Sequence, residues 1–170
     1  FFENLPLMTD PGKLAVYRIL SELLSAGYFA APNLVPLLIF KMVQLSVKEG
    51  LSPKSPFAFG AFGYIQSAYI GKVDDGINYG NISLNVSAKL KTDELNARLL
   101  MTYYVFLVHW KMRLSDINEE LEKAFKKGLE TGDNEYTTYL AQNIVYNSFY
   151  SGVHLQKLAD KAELLDKQVV

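Results

Sequence analysis

Residues 55–90, SPFAFGAFGYIQSAYIGKVDDGINYGNISLNVSAKL, contain the start and stop signals of two consecutive helices. Ser55-Pro56 is typical of a helix start, because a serine oxygen can cap free backbone N–H groups and proline at the first helical position needs no donor. Gly71 favours the left-handed conformation that ends many helices. The acidic residues from Asp74 onward favour a second helix, since negative charge stabilises a helix N-terminus. These residues are therefore predicted to form a helical hairpin.

Small side chains recur along one face of each helix in this hairpin. They stand four residues apart in the first helix and seven apart in the second, and such spacings place residues on a common side. Glycine and serine there allow neighbouring backbones to approach closely, while aromatic rings beside them fill the remaining space. The predicted packing residues are Phe59, Gly63, Ser67, Gly71, Gly76 and Ser83, together with Ala124 in a later helix.

An aromatic residue before a glycine, a tight turn and small residues at seven-residue spacing resemble a tetratricopeptide-type hairpin. Helical patterns with similar start and stop signals continue along the whole chain. Val73, Leu114 and Leu155 occupy equivalent starts about 41 residues apart, compared with roughly 34 in a standard tetratricopeptide unit. We therefore predict an all-α fold of antiparallel helical hairpins, about eight helices in total, stacked as a TPR-like right-handed α-solenoid.

The chain is predicted to be a single helical-repeat domain over residues 1–170, and a fragment of a longer polypeptide. It begins with Phe1 and lacks the basic, apolar and cleavage regions of a signal peptide. Each helix pair would hide its apolar face against the next. The predicted pairs span approximately residues 13–50, 55–90, 93–131 and 134–167.

Composition excludes several classes of function. With 170 residues, of which 49% are hydrophobic and 21% charged, the chain can bury a continuous core. A net charge of −1 gives no electrostatic reason to expect nucleic acid as a partner. The absence of cysteine excludes disulfides and thiolate metal sites, and no apolar run reaches the roughly 20 residues of a membrane span. We expect a cytoplasmic domain without membrane insertion.

No constellation of residues points to catalysis. A phosphate-binding GxxxxGK[ST] motif is absent, and the glycines do not follow a strand. His109 and His154 are the only histidines, and neither has a metal-ligating partner three or four residues later. Nothing selects a Ser/His/Asp triad by order or spacing. We therefore expect no catalytic residue, no cofactor and no metal site, so that this segment is not an enzyme.

Tyrosines that alternate with amides are the candidate binding residues. The chain has 11 tyrosines, and most aromatic rings should lie in the core, where they supply buried area between helices. On an exposed face, tyrosine and asparagine would offer flat contact area and hydrogen bonds to a peptide. Ordinary hydrogen bonding between helices by half-buried tyrosines is the alternative interpretation. The predicted partner-binding face comprises Tyr79, Asn81, Asn85, Tyr139, Asn143, Tyr146 and Asn147.

Three segments carry a resemblance to a known family: YRILSELLSAGYFAAPNLVPLLIFKMVQLSVKEGLSPKSPFAFGAFGYI (17–65), WKMRLSDINEELEKAFKKGLE (110–130) and GLETGDNEYTTYLAQNIVYNSFYSG (128–152). They are similar to the helical-repeat region of large bacterial multidomain sensor kinases. The resemblance implies a protein-kinase parent, in which a serine/threonine-kinase-like domain and a STAND-type, AAA-related ATPase precede the helical array. GAF and histidine-kinase domains would follow it. No nucleotide-binding or phosphoacceptor residue is carried over, so the resemblance implies only the scaffold.

The expected function is that of a non-catalytic protein-interaction or scaffold domain, which relays between the sensor and ATPase domains and the kinase domains. Its partners would be other domains of the same chain or a separate signalling protein. A second hypothesis is a small-ligand sensor with an apolar cavity between the aromatic-rich helices 55–71 and 93–110. An enzyme of unfamiliar helical type is a third hypothesis, and it would need a buried pair of titratable groups lining a cleft.

Overall fold

The computed structural model describes residues 1–169, which form eight α-helices and no β-strand. The all-α fold class predicted from the sequence is therefore confirmed. The helices are α1 (Pro11–Ala30), α2 (Val35–Glu49), α3 (Ser55–Tyr64), α4 (Val73–Leu90), α5 (Asn96–Phe106), α6 (Leu114–Thr131), α7 (Asn134–Tyr150) and α8 (Leu155–Val169).

The chain divides into two compact units, the first spanning Phe1–Thr92 and the second beginning at Asp93. This boundary falls between the second and third predicted helix pairs. Within each unit, neighbouring helices run antiparallel. In the first unit Tyr17 near the start of α1 hydrogen-bonds Ser46 near the end of α2, and in the second Asn118 near the start of α6 donates to Ser148 near the end of α7. A single domain with all four pairs stacked as a right-handed solenoid stays a prediction.

Side-chain caps and glycines set several of the helix ends. The Asp10 carboxylate accepts a hydrogen bond from the Lys13 amide at 3.0 Å and so caps α1, while Asp133 caps α7 in the same way. Gly132 and Gly152 follow α6 and α7 with φ angles of 72° and 78°. Such left-handed conformations favour glycine because it has no Cβ. These starts and stops lie where the sequence signals predicted them.

The start of α3 differs from the prediction. Ser55 is the first helical residue rather than the cap, and its oxygen accepts a hydrogen bond from the Ser52 amide at 2.9 Å. The Ser52 oxygen in turn accepts from the Lys54 amide at 3.2 Å. Ser55 thus takes the part that glutamate has in a capping box, but the pairing is not reciprocal, because the Ser52 oxygen accepts from Lys54 and not from Ser55. Because the Ser55 oxygen is also buried against Ser46 at 2.8 Å, it points into the unit instead of capping α3.

Equivalent positions are buried in the second helices of successive pairs. The second helices of the last three pairs, α4, α6 and α8, begin at Val73, Leu114 and Leu155 and so keep the predicted interval of about 41 residues. Helices that bury the same positions in successive pairs are the signature of a repeat. Equivalent buried residues are Gly76, Ile117 and Leu158 at one position, and Ser83, Ala124 and Leu165 at another.

Small residues bring α3 and α4 into close contact. A Cβ placed on Gly76 would lie 2.6 Å from the carbonyl oxygen of Gly63 and 3.1 Å from the Cβ of Ser67. Ser83 donates a hydrogen bond of 2.6 Å to the carbonyl oxygen of Pro56 at the other end of this contact. The structure thus brings four of the predicted packing residues together.

Gly71 lies outside this contact because α3 continues into a π-helical turn, Ile65–Tyr69. A π turn contains more residues than an α turn, so the four-residue spacing that aligned Gly71 with Ser67 no longer holds. Gly71 is exposed, has a φ angle of 79°, and would meet no atom within 4 Å if it carried a Cβ. It therefore acts as the left-handed stop that the sequence predicted, and does not pack against α4.

A chain of buried hydroxyl groups links α1, α2 and α3. The Tyr17 hydroxyl lies 2.9 Å from the Ser46 oxygen, which is 2.8 Å from the Ser55 oxygen. Tyr17 is fully buried, and burial raises the pKa of its phenol from 10.0 to about 12, although the hydrogen bonds to the two serines oppose the shift. The fold therefore requires the neutral form of Tyr17.

Tyr17→Phe is expected to reduce the loss of stability at alkaline pH. The neutral phenol contributes fully below the ordinary pKa of 10.0, and this contribution falls as the pH rises towards about 12. Urea unfolding should show the unchanged chain losing about 1.4 kcal/mol more than Tyr17→Phe between pH ~9 and ~11, since one pKa unit corresponds to that free energy. Tyr150→Phe, at an exposed site, serves as the control and should behave like the unchanged chain. Equal losses in Tyr17→Phe and Tyr150→Phe would contradict the assignment.

Candidate functional site

Two of the three predicted binding residues on α4, Tyr79 and Asn85, contact a segment of the chain itself, Phe1–Met8. The Asn85 side-chain amide donates to the Glu3 carboxylate at 2.8 Å. The ring of Tyr79 lies 5.7 Å from that of Phe2, centre to centre. Asn81 is exposed on the same helix. The aromatic and amide pattern of α4 thus contacts a peptide-like segment, but that segment belongs to this chain.

Segment 1–8 contacts the first unit through both side chains and backbone. The Phe2 ring packs 5.1 Å from the fully buried Phe59 ring, and Leu5 joins the core cluster that contains Phe59. Lys89 donates from its ammonium group to the carbonyl oxygen of Glu3. Further along, the Leu51 amide donates to Pro6 at 2.7 Å, and the Met8 amide donates to Leu51 at 2.9 Å, so a short parallel pairing fixes the segment.

The predicted binding residues on α7 form hydrogen bonds within their own helix. The Asn143 amide donates to the carbonyl oxygen of Tyr139 at 2.8 Å, and Gln142 donates to the Tyr146 hydroxyl at 2.9 Å. Tyr146 is exposed, and Asn147 is partly buried. Burial, followed by the charge of nearby Glu135, raises the pKa of Tyr139. Because α4 and α7 belong to different units, each set of residues is a surface of its own unit.

Apolar residues are exposed along one side of α1 and one side of α2. Ile19 is 59% exposed and Leu37 62% exposed. The α1 stripe comprises Val16, Ile19 and Leu23, and the α2 stripe comprises Leu37, Phe40 and Val47. Spacings of three and four residues in α1, and of three and seven in α2, place each set on one side of its helix. The α2 stripe could have been expected from the sequence, because α2 is apolar on nearly all sides. A helix that packs its partner on one side needs apolar residues on that side only.

By contrast, α6 carries charge on its exposed side. Its exposed positions include Glu119, Lys123 and Lys126, and Lys123 donates to the partly buried Glu120 at 2.7 Å. Such residues keep a helix face in water at little cost. The exposed side of α6 is therefore charged, whereas the exposed α1 stripe and α2 stripe are apolar.

An open groove of about 360 Å³ borders α1 in the first unit. Its lining comprises Leu14, Arg18, Glu22, Ser52, Pro53 and Lys54. Lys54 and Glu22 form an ion pair of 3.2 Å across it. The cavity predicted for a small-ligand sensor, between helices 55–71 and 93–110, would involve both units and stays a prediction.

The histidines make local contacts. The His109 ring lies 4.7 Å from the Trp110 ring, centre to centre, with the ring planes tilted by 39°, and partial burial lowers the pKa of His109. His154 accepts a hydrogen bond from the Gln156 amide at 3.3 Å. Within residues 1–169, no group of three or more histidine, cysteine, aspartate and glutamate side chains could hold a metal ion. Over the same residues, no helix has the length and apolar character to cross a bilayer.

Most of this chain is similar in sequence to a small part of one very large protein. The chain is 24% identical over 155 residues to hybrid signal transduction histidine kinase G of Dictyostelium discoideum. The match covers 89% of this chain but only 4% of that protein. No protein-family model matches the chain, and no solved structure matches it significantly. A tetratricopeptide family, a serine/threonine-kinase context and a bacterial source therefore stay predictions.

Proposed function

We propose that the chain is a non-catalytic protein-interaction scaffold within a signal-transduction kinase, where it relays between sensor or ATPase domains and kinase domains. The observation that carries the proposal is the exposure of the α1 stripe and the α2 stripe. The similarity to a hybrid histidine kinase supports the signalling context. A partner would be another domain of the same polypeptide or a separate signalling protein.

Exposed apolar stripes support binding because their burial releases free energy. Burying apolar surface stabilises a contact by about 25 cal/mol per Å². Folded proteins rarely leave contiguous apolar patches facing water, and such patches commonly mark interaction sites. Val16, Ile19 and Leu23 are each between 45% and 59% exposed and share one side of α1. A partner helix that packed there would bury them as the helices of each pair bury one another.

Repeated helix pairs suit a relay between domains. In repeat proteins each helix pair contacts its neighbours, so an array can extend by adding pairs and can present a long surface. The relative's size fits this arrangement, since the matched segment is a small part of its length.

Photo-crosslinking at two exposed positions tests the proposal. A benzoylphenylalanine at position 19, within the α1 stripe, should crosslink in the source cell to domains of a histidine kinase, identified by mass spectrometry. The same group at position 126, on the charged side of α6, is the matched control and should give at least several-fold less product. Ile19 and Lys126 are both exposed, so access alone does not separate them.

A charged substitution provides the second arm of this experiment. Leu23→Glu should reduce crosslinking from position 19, because a carboxylate in the stripe opposes apolar contact. Its melting temperature should stay close to that of the unchanged chain, since surface substitutions usually change stability by less than about 0.5 kcal/mol. Equal crosslinking from positions 19 and 126, or products without any kinase domain, would refute the scaffold function.

A further inference from the structure

The open groove beside α1 lies on a different side of this helix from the α1 stripe. We name it the α1 groove, and its lining comprises Leu14, Arg18, Glu22, Ser52, Pro53 and Lys54. The three lining residues of α1 stand four positions apart, so they form one row along the helix. At 3.6 residues per turn, this row lies roughly 130° around the helix from the α1 stripe. The other wall of the groove is the loop that precedes α3.

The α1 groove offers more hydrogen-bond donors than acceptors. Arg18 is exposed, and within residues 1–169 its guanidinium group has no hydrogen-bond or ion-pair partner. A guanidinium group has five N–H donors and no acceptor. Lys54 uses one of its three ammonium donors on the Glu22 carboxylate, at 3.2 Å. The remaining donors of both cations can bind an acceptor that enters the groove.

A buried hydroxyl group adds one more donor to this lining. Ser52 lines the groove and is only 3% exposed. Its oxygen accepts from the Lys54 amide at 3.2 Å, while its own hydrogen has no acceptor among the described residues 1–169. Leaving a buried donor unpaired is unfavourable, and an acceptor from outside the chain would therefore complete the hydrogen bonding of Ser52.

The charges of the lining fit a single carboxylate. Arg18 and Lys54 contribute two positive charges and Glu22 contributes one negative charge, so one positive charge is in excess. One carboxylate balances that excess, whereas a phosphate group with a charge near −2 would leave negative charge beside Glu22. Arginine can also hold a carboxylate by two parallel hydrogen bonds. Leu14 and Pro53 supply apolar surface for the methylene groups that carry the acid.

The open form of the groove favours a carboxylate that belongs to a larger molecule. Sites for free small molecules usually enclose most of the ligand surface. In an open groove a free acid stays largely in water, where ion pairs contribute little. An acidic side chain of a partner protein is instead held in place by the contacts that surround it.

We propose that the α1 groove is a docking site for an acidic side chain of a partner protein, whose carboxylate pairs with Arg18 and accepts hydrogen bonds from Ser52 and Lys54. This inference goes beyond the proposed function, which rests on the α1 stripe. Lys54 would be shared between the incoming carboxylate and Glu22. Glu22 therefore limits the affinity of the site, because it repels the carboxylate and competes for the same ammonium group.

NMR titration of the isotope-labelled full chain with a short peptide tests the proposal. The probe is acetyl-Leu-Glu-Leu-amide, in which the glutamate carboxylate is the only charge. It should shift the amide resonances of Ser52 and Lys54 in a saturable manner. The matched probe acetyl-Leu-Gln-Leu-amide should bind at least about ten-fold more weakly, because charged hydrogen bonds are lost. Equal binding of the two probes would overturn the proposal.

Substitutions of Arg18 test its part in recognition. Arg18→Gln should weaken binding of the glutamate probe at least about five-fold, and Arg18→Lys should retain only part of the affinity because an ammonium group lacks the planar fork of donors. The matched control is Arg113→Gln, which removes an exposed arginine from the second unit and should bind like the unchanged chain. Unaltered binding by Arg18→Gln would contradict the assigned pairing.

Glu22→Gln should increase affinity, a result that loss of folding cannot produce. The variant should bind the glutamate probe at least about three-fold more tightly, because Lys54 no longer has a competing carboxylate. Glu49→Gln serves as the control, since Glu49 pairs with Lys13 at 3.6 Å and does not line the groove. Equal or weaker binding by Glu22→Gln would refute the charge assignment.

Two further probes test the class of ligand. Propionate carries the carboxylate without a peptide, and acetyl-Leu-phosphoserine-Leu-amide carries a charge near −2. Both should bind at least about three-fold more weakly than the glutamate probe. Equal binding of propionate would assign the groove to free acids, and tighter binding of the phosphoserine probe would assign it to phosphorylated partners, so either result overturns the proposal. None of these results affects crosslinking from position 19, which tests the proposed function separately.

Discussion

Gly76→Ala is expected to lower the free energy of unfolding by about 3 kcal/mol, at the upper end of the usual range for overpacking. The added Cβ would lie 2.6 Å from the carbonyl oxygen of Gly63, which belongs to the backbone of α3 and cannot move without shifting the helix. Alanine favours a helix over glycine by about 1 kcal/mol, and that gain is already included in the net figure. Urea unfolding followed by far-UV circular dichroism measures the effect.

Two variants control this measurement. Gly12→Ala places a methyl group in the exposed first turn of α1, where it meets only the side chain of Asp10, and should change stability by less than about 1 kcal/mol. Combining Gly76→Ala with Ser67→Gly should recover part of the loss, because Ser67 supplies the other nearby atoms. A Gly76→Ala chain as stable as the original would show that α3 and α4 do not pack as closely as described.

Phe59→Ala is expected to cost about 3–5 kcal/mol, the range for deleting a fully buried phenylalanine. Phe59 is 0% exposed and packs with Leu51 and Val86 in the core of the first unit. The same substitution removes the ring against which Phe2 packs, so segment 1–8 should also become more accessible to a protease.

Phe62→Ala is the matched control for Phe59→Ala, because the two rings lie on the same helix. Phe62 is only partly buried and contacts the Tyr79 ring at 4.7 Å and the Phe40 ring at 5.8 Å. Losing a ring that is already partly exposed should cost less, since the free energy follows the apolar area removed from water. Urea unfolding of both variants provides the comparison, and a larger loss for Phe62→Ala would contradict the described core.

Helix boundaries were predictable because their causes are local. The carboxylates of Asp10 and Asp133 cap helices through amides three residues away. Gly132 and Gly152 end helices through their own backbone conformation. The interval of about 41 residues between the starts of α4, α6 and α8 was predictable for the same reason, because each helix start has a local sequence signal.

The π-helical turn could not be predicted from spacing. A four-residue period assumes α-helical hydrogen bonding, but the Lys72 amide bonds Gln66 and the Ile70 amide bonds Ile65. Whether a helix accepts such a turn depends on packing around it. Gly71 therefore has the left-handed conformation that the sequence predicted, but it does not make the predicted packing contact with α4.

The candidate sites needed contacts between distant parts of the chain. Asn85 and Glu3 lie 82 positions apart, and no local pattern pairs them. The composition of α4 indicated a face suited to a peptide, but not that the chain itself would supply that peptide. Exposure of the α1 stripe was equally hidden, because the same periodicity marks apolar residues that pack within a chain and those that bind a partner.

Glycine at one copy of a repeated position restricts which helices can pair during synthesis. Repeats of similar outline are prone to misassembly, because a newly made helix meets several near-equivalent neighbours. Ile117 of α6 occupies the position that Gly76 holds in α4. If α6 docked against α3, its isoleucine would enter a space where only a hydrogen atom fits. The mismatch disfavours the swapped arrangement, so side-chain size at this position helps to select α4 as the partner of α3.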